Sequence, residues 1–224
     1  MCSSDLPGVV LLDLYETLVS GEWPRWGELV RTRIGVDQAT LDAALDVTRE
    51  ARNTGAFGTE EEDWGAVLAA AGVAPDADMV GDLIRIQRGF MTTGVRLYDD
   101  ALPVVRELRA RGARTALVSN CSRDTRPVVE RLGLQDEFDA VILSFEVHAR
   151  KPDAAIYAAA LAAIDGAAAD GLYVDDQARY CDGARDLGMD TRLIRRPSAA
   201  PREGFTPATD GHRVIADLTA LLDG

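Results

Sequence analysis

The sequence predicts an α/β fold: a Rossmann-like, doubly wound parallel sheet core with an inserted helical cap domain. Three observations lead there. Short, nearly unbroken apolar runs recur along the chain, as strands buried on both faces require. Helical patterns fill most of the gaps between them, the alternation that builds a parallel sheet through right-handed crossovers. One long interval after the first run breaks the alternation and reads as helix alone.

The first run is VVLLDL at 9–14. From 19 to 95 the chain shows helical periodicity without a convincing buried strand, in four segments at 26–34, 39–52, 61–72 and 78–91. That interval is too long for a simple connection. Residues 1–18 and 96–224 are therefore expected to form the α/β core, and 19–95 the cap. The alternation then resumes, with helix at 101–112, strand at 115–119, helix at 123–134, strand at 140–144, helix at 152–164, strand at 171–175, helix at 181–189 and strand at 191–194. Gly112, Gly133 and Gly188 stand where helices commonly end on a left-handed residue. Residues 195–207 read as a loop and VIADLTALL as a last helix.

A chain of 224 residues with 47% hydrophobic content can bury one large core with an attached lobe. Its net charge of −13, without a Lys/Arg-rich block, argues against a nucleic-acid partner. Cys2, Cys121 and Cys181 are odd in number and lack metal-ligand spacing, which suits a reducing compartment. No basic leader precedes the first strand and no run approaches a membrane span, so a cytoplasmic location and no membrane partner are expected. Nothing in the sequence fixes an oligomeric state.

In open α/β sheets ligands bind outside the carboxyl ends of the strands, so polar residues there come first. The first strand ends at Asp13, the second at Ser119-Asn120, a loop after the third holds Lys151-Pro152-Asp153, and the fourth ends at Asp175-Asp176. A carboxylate so placed can attack a phosphoryl or carbon centre and form a covalent intermediate, although a lone Asp at a strand end is more often a turn or helix cap. Three carboxylates meeting in one cleft against a single lysine would drive a pKa upward unless a cation joined them.

Taken in order, with the insertion after the first strand, these residues resemble the haloacid dehalogenase-like hydrolase superfamily. The resemblance implies that Asp13 is the nucleophile and that Thr17 braces its turn. It gives Ser119 a hydroxyl bond to a substrate oxygen with the Asn120 amide beside it, and has Lys151 neutralise Asp13 and the charge that develops in transfer. It further implies Mg²⁺ held by an Asp13 oxygen, the backbone carbonyl of Tyr15 and Asp176, with Asp175 as a water-mediated or outer partner.

The chain departs from the family pattern at Tyr15, where phosphatases of this kind carry an acid/base Asp and 2-haloacid dehalogenases carry Tyr. Motif four argues the other way, because it reads Asp175, Asp176, Gln177 and Tyr180 rather than the dehalogenase pattern. The leading expectation is a Mg²⁺-dependent phosphatase acting on a small phosphorylated metabolite. A 2-haloacid dehalogenase is the second reading, and a weakly active or non-catalytic binder of a phosphorylated ligand the third. Glu16 replaces the more usual Gly of the turn. In the insertion Trp23, Arg25, Trp26, Arg31 and Arg33 are candidates to reach over the cleft, and His148 and His212 fit no motif.

Overall fold

Strand β1, Val9–Leu12, is wholly buried, and its side chains divide between two layers as the period of a strand requires. Val10 and Leu12 join one apolar cluster while Val9 and Leu11 join another on the opposite face. Each such side chain contributes about 1.5–3 kcal/mol by leaving water. The computed structural model describes residues 7–197 and 211–223.

After β1 come strand β2, Val19–Gly21, and helices α1, Trp23–Ile34, α2, Gln38–Asn53, α3, Glu60–Ala70, and α4, Ala77–Thr93. Strand β3, Val95–Leu97, α5, Ala101–Ala110, and β4, Arg114–Ser119, follow. The chain continues through α6, Thr125–Arg131, α7, Leu134–Glu137, β5, Ala140–Leu143, α8, Ser144–Val147, and α9, Ala154–Ala163. It closes with β6, Gly171–Asp175, α10, Ala178–Asp186, β7, Asp190–Ile194, and β8, Arg213–Ile215. The main sheet has the order β5-β4-β1-β6-β7-β8, with every pairing parallel. Val10 and Leu12 share their cluster with Val104 and Leu108 of α5 and Val128 of α6, whereas Val9 and Leu11 pack with Ile156 of α9 and Cys181 of α10.

Helices α1 to α4 bury a cluster of their own, including Val30, Leu41, Trp64, Leu68 and Leu83. Their starts follow from local chemistry. Asp37, Thr59 and Asp76 cap α2, α3 and α4, and Thr59 with Glu62 completes a reciprocal capping box. The turn between α2 and α3 rests on the sheet-bearing part of the chain. Gly55 has φ +67, and a Cβ there would collide with the Phe145 carbonyl. Arg123 donates to the carbonyls of Gly55 and Phe57, and His148 Nδ1 donates to Thr54 O at 2.8 Å, which gives His148 a structural role.

Several elements differ from the sequence reading. The interval 19–95 is not helix alone, because Val19–Gly21 and Val95–Leu97 pair antiparallel as a ribbon at its base. Residues 214–222 do not form a helix. Arg213–Ile215 instead pairs with Arg192–Ile194, extending the sheet, and only Leu218–Leu221 coils, as a short 3-10 turn. The alternation of exposed Val214 with buried Ile215 suits an edge strand. Residues 123–134 split at Gly133, whose left-handed φ of 68° starts α7, and α10 begins at Ala178 rather than 181. Of the loop at 195–207, residues from 198 onward lie outside the described residues, as does Cys2. Cys121 and Cys181 are buried free thiols, and burial pushes both up in pKa. Among the described residues no helix is long and apolar enough to cross a membrane.

Candidate active site

The chain leaves β1 toward β4 and β5 on one side of the sheet, then crosses to β6, β7 and β8 on the other. β1 and β6 are thus neighbours at the point where the winding reverses, which opens a crevice beyond their carboxyl ends. Asp13 follows β1, and its N–H still bonds Val174 O of β6 at 3.0 Å. Asp175 closes β6 and Asp176 follows it. All three carboxylates are buried, and one ligand oxygen from each lies within 4.8 Å of the others.

Lys151 is 1% exposed and spends its three ammonium protons at fixed acceptors. Nζ donates to Asp13 Oδ1 at 2.6 Å, to Asp175 Oδ2 at 2.7 Å and to Val118 O at 3.0 Å. Burial alone would lower its pKa, but the two carboxylates outweigh that and hold it charged. The rings of Tyr180 and Tyr173 flank the same nitrogen at 5.0 and 5.7 Å. Asp13 shows the opposite balance. Burial raises its pKa to about 7 although Lys151 pulls it down, and Asp175 adds to the rise. Asp175 is the more fully engaged, since it also accepts from the Tyr173 hydroxyl and from Gln177 N at 2.7 Å.

Ser119 Oγ, at the carboxyl end of β4, is buried and has no hydrogen-bond partner among the described residues, and it is not among the residues that line the cleft. Asn120 lines the cleft and has a second partner in Lys151. Its side-chain amide donates to Lys151 O at 2.9 Å and accepts from Lys151 N at 2.7 Å, so it fixes the backbone that carries the lysine.

The turn after Asp13 is held from both sides. Glu16 adopts φ 63°, a left-handed conformation that costs a residue with a Cβ about 1–2 kcal/mol. Its carboxylate accepts from Trp23 Nε1 at 2.7 Å and from the Tyr98 hydroxyl at 2.9 Å, tying the turn to the start of α1 and to the residue after β3. Thr17 braces the turn through its carbonyl, which accepts twice from Arg196, and not through its hydroxyl. Arg196 is itself set by Asp100 at 2.7 Å, a link the sequence did not signal. Tyr15 shares a hydrogen bond with Thr125 Oγ1 at 2.9 Å and packs edge-on against Trp23. Burial, reinforced by Asp124, holds its phenol well above the usual range and therefore neutral.

A cavity of about 130 Å³ lies over these groups. Asp13, Asn120, Lys151 and Gln177 line it from the sheet side, Tyr15 and Tyr180 stand at its walls, and Trp23, Arg49 and Asn53 face it from the insertion. Of the insertion residues singled out in the sequence, only Trp23 reaches it. Arg25 pairs with Glu22, Arg33 pairs with Asp82, and Trp26 Nε1 donates to Gln87. Arg31 is absent from the cavity lining as well. Arg49 and Asn53, four residues apart on α2, were missed. Their spacing puts them on one helix face, but only the packed structure shows which face is turned to the cleft.

A second cavity of about 50 Å³ lies between insertion and core, lined in part by Trp26, Arg52, Asp63, Ser122 and Asp124. Asp63 Oδ1 is buried there without a hydrogen-bond partner among the described residues. Burial lifts the Asp63 pKa to about 6 against the pull of Arg52. His212 contacts Thr191 Oγ1 and Asp182 away from the cleft, a structural role.

Comparison with known proteins gives a consistent picture. The family model described as haloacid dehalogenase-like hydrolase matches residues 7–188. A phosphatase of Mycobacterium tuberculosis is 33% identical over 129 residues, covering 57% of this chain and 56% of that protein. The chain thus spans about half the length of the curated relatives it matches. Among solved structures, a HAD family enzyme of Bacteroides thetaiotaomicron aligns with a TM-score of 0.71 at 18% identity, over 85% of this chain and 95% of that one. An L-2-haloacid dehalogenase of Xanthobacter autotrophicus aligns with a TM-score of 0.69 at 19% identity, over 98% of this chain and 99% of that one.

Proposed function

The chain belongs to the haloacid dehalogenase-like hydrolase family, and from that premise we propose that it is a Mg²⁺-dependent phosphatase acting on a small phosphorylated metabolite. The observation that carries this reading is the cluster of Asp13, Asp175 and Asp176, three buried carboxylates with Lys151 bonded to two of them. An all-oxygen donor set of this charge suits a hard divalent cation. Asp13, Asp176 and the Tyr15 carbonyl would hold the ion, with Asp175, whose oxygens already serve Lys151, Tyr173 and Gln177, as an outer partner. When bound, the ion supplies positive charge beside the transferring phosphoryl group. The B. thetaiotaomicron neighbour has been crystallised with magnesium and inorganic phosphate.

In this reading an Asp13 oxygen attacks phosphorus as the ester oxygen departs, and water then cleaves the aspartyl phosphate, releasing phosphate and restoring the carboxylate. Lys151 draws Asp13 toward its ionised form against the effect of burial, Ser119 donates its hydroxyl to a phosphoryl oxygen, and Asn120 sets Lys151. Residues 19–95 act as a cap over a core of 1–18 and 96–224, and cap closure excludes water. Tyr15, neutral and bonded to Thr125, is a poor substitute for an acid/base carboxylate, so ester turnover is slow.

Tyr15 favours one rival, a 2-haloacid dehalogenase, the activity named for the X. autotrophicus neighbour. A screen of phosphorylated metabolites and 2-haloacids, each with Mg²⁺ and with EDTA, separates the two. Phosphate release that needs Mg²⁺ and is lost more completely in Asp176→Ala than in Asp175→Ala is expected. Halide release in EDTA, with no phosphate release in Mg²⁺, would transfer the assignment to the dehalogenase.

A further inference from the structure

An alkoxide leaving phosphorus needs a proton, and supplying it from a positioned group is typically worth about a hundredfold or more. Among the residues that line the cleft, only Asp13, Tyr15, Lys151 and Tyr180 carry a proton such a step can use; amides, an indole and a guanidinium do not. Three of these four are committed. Asp13 is the nucleophile of the proposed reaction. Lys151 spends its three protons on Asp13, Asp175 and Val118 O. Tyr15 shares its hydroxyl with Thr125, and a phenolate left there would be buried and would face Asp124, the causes that hold its pKa well above the usual range.

Tyr180 is placed differently. It stands in the first turn of α10, where its carbonyl accepts from the Tyr157 hydroxyl at 2.7 Å, which fixes the backbone that carries the ring. The ring centre lies 5.0 Å from Lys151 Nζ, the nitrogen that bonds Asp13 Oδ1 at 2.6 Å, so phenol and nucleophile flank one ammonium. The phenol oxygen accepts from Arg179 Nη2 at 2.8 Å and donates its own proton to no described residue. Arg179 is held in turn by Gln177 Oε1 at 3.0 and 3.2 Å, and Gln177 lines the cleft with Tyr180. A cation thus occupies one side of the phenol oxygen, and the proton is left for a ligand.

We propose that Tyr180 is the general acid and base of the reaction, giving its phenol proton to the leaving oxygen and taking one back from the attacking water, with Arg179 as its positioning residue. The proposal rests on the phosphatase reading above. In the first step an Asp13 oxygen bonds phosphorus, the ester P–O bond breaks with its electron pair going to the leaving oxygen, and the Tyr180 proton passes to that oxygen. A neutral alcohol departs and a phenolate stays behind. The Arg179 bond then joins cation to anion, so it strengthens where charge develops. In the second step the phenolate takes a proton from water, the resulting hydroxide bonds phosphorus, and the bond from phosphorus to Asp13 breaks. Inorganic phosphate leaves, and Asp13 and Tyr180 are both restored.

The test sets 4-nitrophenyl phosphate against benzyl phosphate, esters of similar shape whose leaving groups differ. Nitrophenolate is a stable anion that departs without a proton, whereas the benzyl alkoxide requires one. Tyr180→Phe keeps the ring beside Lys151. In Mg²⁺ it should lower kcat/KM for benzyl phosphate about a hundredfold further than for 4-nitrophenyl phosphate, since kcat/KM reports the step in which the leaving group departs. With 4-nitrophenyl phosphate the variant should also release a burst of nitrophenol equal to the enzyme before a slower steady rate, because the water step has lost its base. Arg179→Met should show the same selectivity more weakly, and Tyr15→Phe should leave the ratio of the two esters as in wild type. Losses of kcat/KM that are equal for the two esters in Tyr180→Phe, or no loss on either, overturn the inference and leave the phosphatase reading standing. A selective loss in Tyr15→Phe in place of Tyr180→Phe overturns it as well and moves the acid to Tyr15. Phosphate release by the wild type from neither ester and from no phosphorylated metabolite removes both readings.

Discussion

Replacing Lys151 by Met tests whether the lysine or the apolar packing around it holds the centre of this molecule together. The linear Met side chain fills a similar path between Tyr173 and Tyr180, so most of the volume is kept and the charge is removed. What remains is Asp13 and Asp175 facing each other without their shared cation, both buried. Removing one partner from a buried ionic group costs about 3–5 kcal/mol, because the other is left uncompensated. For a chain of this size each kcal/mol shifts Tm by about 2–4 °C, so a fall of roughly 6–20 °C is expected in EDTA at pH 8. The sign with pH follows from Asp13. Its folded pKa of about 7 already lies above the usual carboxylate value near 3.9, and losing Lys151 raises it further. A carboxylate whose pKa is raised by folding destabilises the fold progressively as pH climbs from about 4 through the folded value, and not at all below about 4. The gap between wild type and variant must therefore widen from pH 5 to pH 8. Mg²⁺ should narrow it, since the variant, with one cation fewer beside the carboxylates, binds the ion more tightly than wild type, and a hundredfold difference in Kd returns about 2.7 kcal/mol. Thermal melts at the two pH values, with EDTA and with Mg²⁺, check all three points. A Tm within about 2 °C of wild type at pH 8 in EDTA refutes the reasoning, and a gap independent of pH shows that packing, not charge, was lost.

Two further outcomes are expected. Tyr15→Asp should raise turnover of a test phosphate ester about tenfold, because an acid/base carboxylate at a reacting centre is typically worth a hundredfold or more and the extra charge crowds Asp13; steady-state rates in Mg²⁺ check it, and a slower variant would show Tyr15 suited to its own leaving group. Asp63→Asn should raise Tm at pH 8 and change it little at pH 4, since the Asp63 pKa of about 6 means its charge weighs on the fold only as pH rises from about 4 through 6; an equal shift at both values would rule out that origin.

The sheet and the carboxylate cluster were legible for one physical reason: buried parallel strands carry their signal locally, as apolar runs that end in polar residues. Asp13, Asp175 and Asp176 could be placed together before any geometry was known, because open parallel sheets gather strand ends on one side. The ribbon Val19–Gly21 with Val95–Leu97 was not legible, since three-residue strands have too few positions to show a period and their partners lie far apart in sequence. The strand Arg213–Ile215 was hidden by the helical look of the residues after it, and only the open edge of β7 shows why it pairs. Arg49 was overlooked for a related reason. A surface arginine on an amphipathic helix looks the same whether it faces solvent or a cleft, and tertiary packing alone decides. Asn120 could be located but not understood, because a pair of hydrogen bonds to the backbone of Lys151 leaves no trace in the spacing.

The ribbon at the base of the insertion brings the chain back to the sheet beside the place where it left. Val19 sits opposite Leu97 and Gly21 opposite Val95, so whatever lies between is, to the sheet, a loop with its ends already joined. The entropy of closing such a loop grows only with the logarithm of its length. The sheet is therefore almost indifferent to how many residues span that gap and to what they fold into. In the proposed reading, attack and charge balance stay on the floor of the molecule, while the roof can be exchanged like a graft, carrying a different choice of substrate with it.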